Sequence, residues 1–216
     1  MVHELSQHNS ILNQFIAEIR DVEVQKDTMR FRKNMERISE IMAYEMSKTM
    51  HFSNHVVSTP LGSKNVPQIN EQIVVASILR AGLTMHQGVL NYFDKAENAF
   101  ISAYREEGHA GEEIKVHVEY LASPDLNGKT LVIVDPMLAT GTSLLLALKA
   151  MERNGNPKQI HVLSAIASRQ AVEKVSKELN GKAEIWIADI DEELNDKSYI
   201  VPGLGDAGDL AFGVKL

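Results

Sequence analysis

The 216-residue chain contains no cysteine, which excludes disulfides and thiolate metal sites. No apolar run approaches the roughly 18 residues that a membrane span needs. The opening "MVHELSQHNS" lacks the apolar core of a signal peptide. These absences point to a soluble, cytoplasmic protein with no membrane partner. No block of Lys or Arg stands out and the net charge is −7, so a nucleic-acid partner is not expected. There is no G-x-x-x-x-G-K-[ST] phosphate loop, no internal repeat and no low-complexity linker. What remains is an ordinary globular composition, 44% hydrophobic and 24% charged. The length fits one α/β domain spanning residues 1–216.

Between Lys26 and Met50 the apolar residues Met29, Phe31, Met35, Ile38, Ile41, Met42 and Met46 recur at helical spacing. That stripe reads as a helix buried in the core. A shorter N-terminal helix covers residues 11–19. Apolar strands are expected at 73–79, 99–104, 131–134, 160–167 and 183–190, and helices at 83–93, 142–153 and 171–179. Gly155 is the expected C-cap of the helix before it. Continuous apolar strands alternating with helices predict an α/β fold, a mostly parallel central sheet with helices on both faces. The stretch "IKVHVEYL", residues 114–121, alternates apolar and polar residues. It predicts an antiparallel hairpin projecting from the sheet, ahead of a turn at Asn127-Gly128.

The most informative stretch is "TLVIVDPMLATGTSLLLALKAM". A buried strand ends on Asp135, a segment of small residues follows, and a helix then begins. Ligands of open parallel sheets bind beyond the carboxyl ends of the strands. There "ATGTS" can turn backbone N–H groups inward, Thr140, Thr142 and Ser143 add hydroxyls, and the helix N-terminus points its positive end at the same place. This is a phosphate site with a carboxylate beside it. Asp135 would repel phosphate but can accept hydrogen bonds from sugar hydroxyls, so the ligand class is a sugar phosphate. The plainer alternative is a strand-to-helix turn with an N-cap threonine.

Arg80, in "SILRAGLTM", stands where a second buried strand meets a helix, and Arg105 ends the next one. A guanidinium at such a place can grip a diphosphate through two parallel hydrogen bonds, and the alternative is a surface arginine. In "YIVPGLGDAGDLAFG", Gly203, Gly205 and Gly208 spell G-x-G-x-x-G, but too little chain follows for the helix and strand of a dinucleotide site. Glycines there instead let backbone groups approach a flat, polar ligand. A merely flexible tail would leave Tyr199, Ile200, Pro202 and Phe212 exposed. Two other groupings are discounted: His51 and His55, at i and i+4 with no third metal ligand, and the acidic run Asp189, Asp191, Glu192 and Glu193, taken as a solvated loop.

Together "VDPMLATGTS", "ILRAGL" and "YIVPGLGDAGD" resemble the three hallmark segments of the uracil phosphoribosyltransferase family. The N-terminal "IRDVEVQKDTMRFRKNMERISEIMAYE" is similar more loosely. Broader phosphoribosyltransferases place two adjacent acids before the loop; here Val134 takes the first position, as in the uracil subfamily. The resemblance implies the type I phosphoribosyltransferase fold, with N-terminal helices, a β-hairpin hood at about 105–128 and a base-binding loop at about 199–213. It implies transfer of a 5-phosphoribosyl group from 5-phospho-α-D-ribose 1-diphosphate (PRPP) to N1 of uracil, giving UMP. Asp135, Pro136, Met137, Leu138, Ala139, Thr140, Gly141, Thr142 and Ser143 would hold the ribose and its 5-phosphate. Arg80 and Arg105 would contact the diphosphate and, with Asp135, serve catalysis. Ile200, Gly205, Asp206 and Ala207 would hold uracil, with Asp206 also reaching PRPP. Mg²⁺ would arrive with the diphosphate, with no metal site of the chain's own. The assembly would be a homodimer or higher homo-oligomer, and GTP activates some members. Leu210, where the family commonly has Lys or Arg, and Val214, where it has Thr, depart from the pattern, as does the hood sequence. The alternatives are a phosphoribosyltransferase for another base and a non-catalytic, RNA-binding regulator of pyrimidine genes on the same fold.

Overall fold

The computed structural model describes residues 1–105 and 116–215, with backbone alone at 103–105 and 116–118. In chain order the elements are β1 (Val2–Glu4), α1 (Ile11–Arg20), α2 (Thr28–Ser47), β2 (Phe52–Thr59), β3 (Gly62–Ile69), β4 (Ile73–Leu79), α3 (Gly82–Tyr92) and β5 (Glu97–Arg105). Then follow β6 (Val116–Ala122), β7 (Thr130–Val134), β8 (Met137–Leu138), α4 (Thr142–Met151), β9 (Gln159–Ser168), α5 (Arg169–Leu179), β10 (Ala183–Asp191), β11 (Glu193–Leu194), β12 (Ile200–Val201) and α6 (Ala207–Phe212).

The main sheet runs β1-β10-β9-β7-β4-β5-β6, with β8 extending the pairing along β9. Every pairing in it is parallel except β5 with β6. Chain order reverses between β4 and β7, since the connection from β4 runs outward to β5 while β7 lies on β4's other side. A crevice at the carboxyl ends of those two strands is the expected ligand position in such a sheet.

Both faces are covered. Val132 and Val134 pack with Met35, Ile38, Met42, Met46 and Met85, whereas Leu131 and Ile133 pack with Leu144, Leu148, Val172 and Val175. The period of two sends alternate residues to opposite faces, and both faces need apolar side chains. The predicted methionine stripe is core at Met35, Met42 and Met46, which are fully buried, but Met29 is exposed. Among the described residues no helix is long and apolar enough to cross a membrane.

Several expectations need correcting. The stretch at 114–121 was expected as an antiparallel hairpin projecting from the sheet; its described part, in β6, does pair antiparallel with β5, from Phe100↔Ala122 to Arg105↔Val116 with a register shift between Ser102 and Ala103, and it forms the edge of the main sheet. Residues 106–115 of that expected hood lie outside the described residues. A two-stranded hairpin that the sequence did not announce, β2 with β3, lies outside the main sheet. His51 precedes β2 and His55 lies within it, so the i, i+4 pair is not on a helix. The helix expected at 142–153 ends at Met151 and tightens into a 3₁₀ turn, Glu152–Asn154, before Gly155. Tyr199 and Phe212 are each 41% exposed, and Pro202 is exposed too, so of the four residues expected to order the tail only Ile200 is buried. Leu204, Ala207 and Ala211 do the burying instead.

Candidate active site at the strand ends

Asp135 directly follows β7. Its N–H donates to the Leu163 carbonyl at 3.1 Å, which extends the β7–β9 ladder one residue past the strand. The Ile166 N–H then donates to the Pro136 carbonyl at 3.0 Å, and Met137 and Leu138 pair with Ile166 and Ala167. The Ser168 hydroxyl donates to the Ala139 carbonyl at 2.6 Å. The loop therefore leans along β9 for its whole first half.

Gly141 makes the turn into α4 at φ 71°, ψ −5°. A Cβ there would sit 2.6 Å from Val175 Cγ2, so both the backbone angle and the packing call for glycine. The alternative of an N-cap threonine is overturned: Gly141 is the cap, and no side-chain cap bond closes the helix. Thr142 is the first helical residue, and its hydroxyl accepts from Lys174 Nζ at 2.9 Å. The first N–H groups of α4 and a lysine thus converge where an anion would sit. Asp135, Met137, Leu138, Ala139, Thr140, Gly141 and Ser143 line a small cavity of about 30 Å³ here.

Arg80 follows β4, next to the loop, because Ser77 of β4 is the register partner of Val134. Its Nη2 donates to Asp209 Oδ1 at 3.0 Å, and both terminal nitrogens reach the Gly213 carbonyl at 3.3 Å. Arg80 Nε is buried without a partner among the described residues. The expected diphosphate arginine and the expected base segment are therefore in direct contact. Behind them His86 is buried, with Nδ1 2.7 Å from Ser77 Oγ and Nε2 2.6 Å from Asn98 Oδ1. The amide oxygen accepts, so Nε2 carries the proton. Burial lowers the His86 pKa against the raising effect of Asn98. Arg105 ends β5 at the same edge of the sheet, and its side chain lies outside the described residues.

The C-terminal segment closes the site. Ile200 sits in β12, which pairs antiparallel with β11. Gly203 and Gly205 turn the chain at φ 57° and φ 95°. Asp206 caps α6 by accepting the Asp209 N–H at 2.9 Å. Gly205, Asp206 and Asp209 line an open cavity of about 300 Å³ together with Gln25, Leu204, Leu210 and Val214. The two departures from the family pattern thus both fall on this rim: Leu210 is half-buried against the core, and Val214 is 82% exposed.

The expectation of a solvated acidic loop fails for Asp189 and Asp191, which lie in β10, and holds for Glu192 and Glu193, which are exposed. Asp189 and Asp191 both bind Arg20, at 2.6 Å and 2.8 Å, while Glu192 binds Arg169 at 2.8 Å. Sequence reasoning passed over Arg20, Arg32 and Gln25. Arg32 donates to the Ala211 carbonyl at 2.7 Å, and Gln25 Nε2 donates to the Arg20 carbonyl at 3.1 Å. Nothing in the residues around Arg20 and Arg32 announces a partner so far along the chain.

The model of the family described as uracil phosphoribosyltransferase matches residues 5–214. The chain belongs to that family. It is 52% identical over 215 residues to a uracil phosphoribosyltransferase of Porphyromonas gingivalis, covering 100% of this chain and 99% of the relative. It is 40% identical to the Methanothermobacter thermautotrophicus protein of the same name, over 87% of this chain and 85% of that one. Among solved structures it is similar to the AQ2163 protein of Aquifex aeolicus, with a TM-score of 0.88, 32% identity and full coverage of both chains. A hypoxanthine phosphoribosyltransferase of Staphylococcus aureus, 14% identical with a TM-score of 0.50 over 76% of each chain, shares the fold. The architecture is thus that of the type I phosphoribosyltransferases.

Proposed function

We propose that this chain transfers the 5-phosphoribosyl group of PRPP to N1 of uracil, releasing diphosphate and forming UMP in the cytoplasm. The observation that carries the reading is the meeting at the strand ends: a preformed anion loop with an uncapped helix, beside an arginine that touches the C-terminal segment. Residues 135–143 hold the 5-phosphate on backbone N–H groups and orient the ribose diol on Asp135. Arg80 and Arg105 take the diphosphate. Backbone groups of Ile200 and of Gly205 to Ala207 read the edge of uracil, and Asp206 faces both substrates.

The C1–oxygen bond to diphosphate breaks as the C1–N1 bond forms, through an oxocarbenium-like transition state, and the proton on uracil N1 is released. The protein's contribution is positioning and compensation of the charge that develops on the leaving group. Mg²⁺ would arrive with the diphosphate and would neutralise leaving-group charge there. Assembly into a homodimer or higher oligomer, and stimulation by GTP, belong to the same reading; sedimentation and rates with added GTP test them.

The deciding experiment incubates the purified chain with uracil and PRPP, with and without Mg²⁺, and separates the products. UMP and diphosphate in equal amounts, dependent on Mg²⁺, are expected. UMP absent from every reaction, or IMP or GMP formed faster from purine bases, would overturn the assignment.

A further inference from the structure

Arg20 ends α1, yet its guanidinium is largely buried and reaches residues 169 to 183 positions away. Nη1 and Nη2 grip the two oxygens of Asp191 at 2.8 Å and 3.0 Å, and Nη2 also takes Asp189 at 2.6 Å. The pair has a further occupation. Arg20 Nη1 donates to the Gly203 carbonyl at 2.9 Å, and Asp191 Oδ2 accepts the Gly203 N–H at 3.1 Å. Both backbone polar groups of one loop glycine are thus held by one ion pair. Gly203 lies between Ile200 and Gly205, and a Cβ there would approach the Ile200 carbonyl oxygen to 2.2 Å.

A buried ion pair is a poor source of stability, because desolvation of two charges offsets most of their attraction. What it supplies that an apolar pair could not is a fixed donor and a fixed acceptor. A reader made of backbone groups has no rotamers with which to adjust. It discriminates only if the chain carrying it is held to within about 0.5 Å. We infer that Arg20 and Asp191 are positioning residues for the base-reading loop: they lock the Gly203 peptide groups and so set the aim of Ile200 and of Gly205 to Ala207. They touch neither substrate. The inference rests on the uracil reading above and adds two residues outside the loop, one of them, Arg20, from the far end of the chain.

The test uses the full chain carrying Asp191→Asn or Arg20→Gln. Uracil is varied at saturating PRPP, then PRPP at saturating uracil. The KM for uracil should rise about tenfold or more while the KM for PRPP stays within about twofold, since misplacement by an ångström is worth that much. The preference for uracil over cytosine should fall in the same variants. Met42→Ala, in the core of α2, is the control: it should lower Tm and leave the uracil KM alone. Should the first two variants fail to fold, Arg20→Lys and Asp189→Asn carry the test. Arg20→Lys loses the fork that reaches Gly203 and should raise the uracil KM more than Asp189→Asn, which leaves both Gly203 contacts in place. An unchanged uracil KM, or both KM values rising together, in an enzyme whose parent makes UMP would overturn the positioning role alone. A parent that makes no UMP would remove the underlying reading first, and this one with it.

Discussion

Residues 135–143 hang on contacts supplied by β9 and α5, the elements that follow them in the chain: the Leu163 carbonyl, the Ile166 N–H, the Ser168 hydroxyl and the Val175 side chain against which Gly141 is packed. Residues 199–213 depend on arginines from the other end. Arg20 holds the Gly203 carbonyl, Arg32 the Ala211 carbonyl and Arg80 the Gly213 carbonyl. One half of the site is shaped by the strand and helix that come next in the chain, β9 and α5, and the other is clamped by arginines of the N-terminal half, in α1, in α2 and after β4. A loop of the first kind tolerates change elsewhere. A loop of the second kind inherits the fate of three distant side chains.

The largest break should come within the locally built half. Asp135→Asn keeps the strand and its backbone bonds but removes the charged acceptor proposed for the ribose diol. We expect kcat/KM to fall about a hundredfold with Tm nearly unchanged; full activity in steady-state assays would remove the carboxylate from the mechanism.

Two glycines sharpen the contrast next. Gly141→Ala meets the end of a valine side chain, which can shift, whereas Gly203→Ala meets a backbone carbonyl, which cannot. Both positions have positive φ, at a cost of about 1–3 kcal/mol each for a substituted residue. Denaturant melts should show Gly203→Ala as the more destabilised of the two; the reverse order would mean the C-terminal segment is the more pliable half.

Arg80→Ala crosses between the halves. The PRPP KM should rise about tenfold, with a smaller rise for uracil because Asp209 and Gly213 lose their partner. Lysine should restore the function only in part. A normal PRPP KM with a lower Tm would make Arg80 purely structural.

The smallest effect is the pH dependence of stability. His86 and His161 are buried, and burial lowers both pKa values. Above about pH 6.5 the histidines are neutral in folded and unfolded chains alike. Below it the unfolded chain binds protons that the folded chain refuses, so stability falls, by up to about 1.4 kcal/mol per pH unit for each histidine. Thermal melts between neutral and mildly acid pH should show Tm dropping; a Tm rising over that range would contradict the burial of both rings.

The same contrast explains what the sequence could disclose. The apolar runs of β4 and β7, and a carboxylate followed by small residues, are local signals, and the fold around the donor loop follows from them. The β2–β3 hairpin escaped because both its faces are largely exposed, so "FSNHVVST" and "GSKNVPQI" carry no clean alternation. Asp189 and Asp191 looked solvated because their partner, Arg20, lies some 170 positions earlier and no local pattern points to it. Tyr199 and Phe212 looked like anchors by residue type, yet the small side chains of Ala207 and Ala211 fill the space under α6. Apolar periodicity is written in neighbours; an ion pair across the chain is not.

The most direct test of the account is base choice. Uracil offers a carbonyl at C4 and an N–H at N3, where cytosine offers an amino group and a bare acceptor. The proposed reader, backbone donors and acceptors locked by distant arginines, cannot turn to suit both. Each buried polar group left unpaired costs about 1–3 kcal/mol, so two mismatches give roughly a hundredfold preference or more. The measurement is initial rates of UMP and CMP formation at matched base concentrations with saturating PRPP. UMP formation faster by that factor is the predicted result; comparable rates would contradict a C-terminal backbone that reads the base edge.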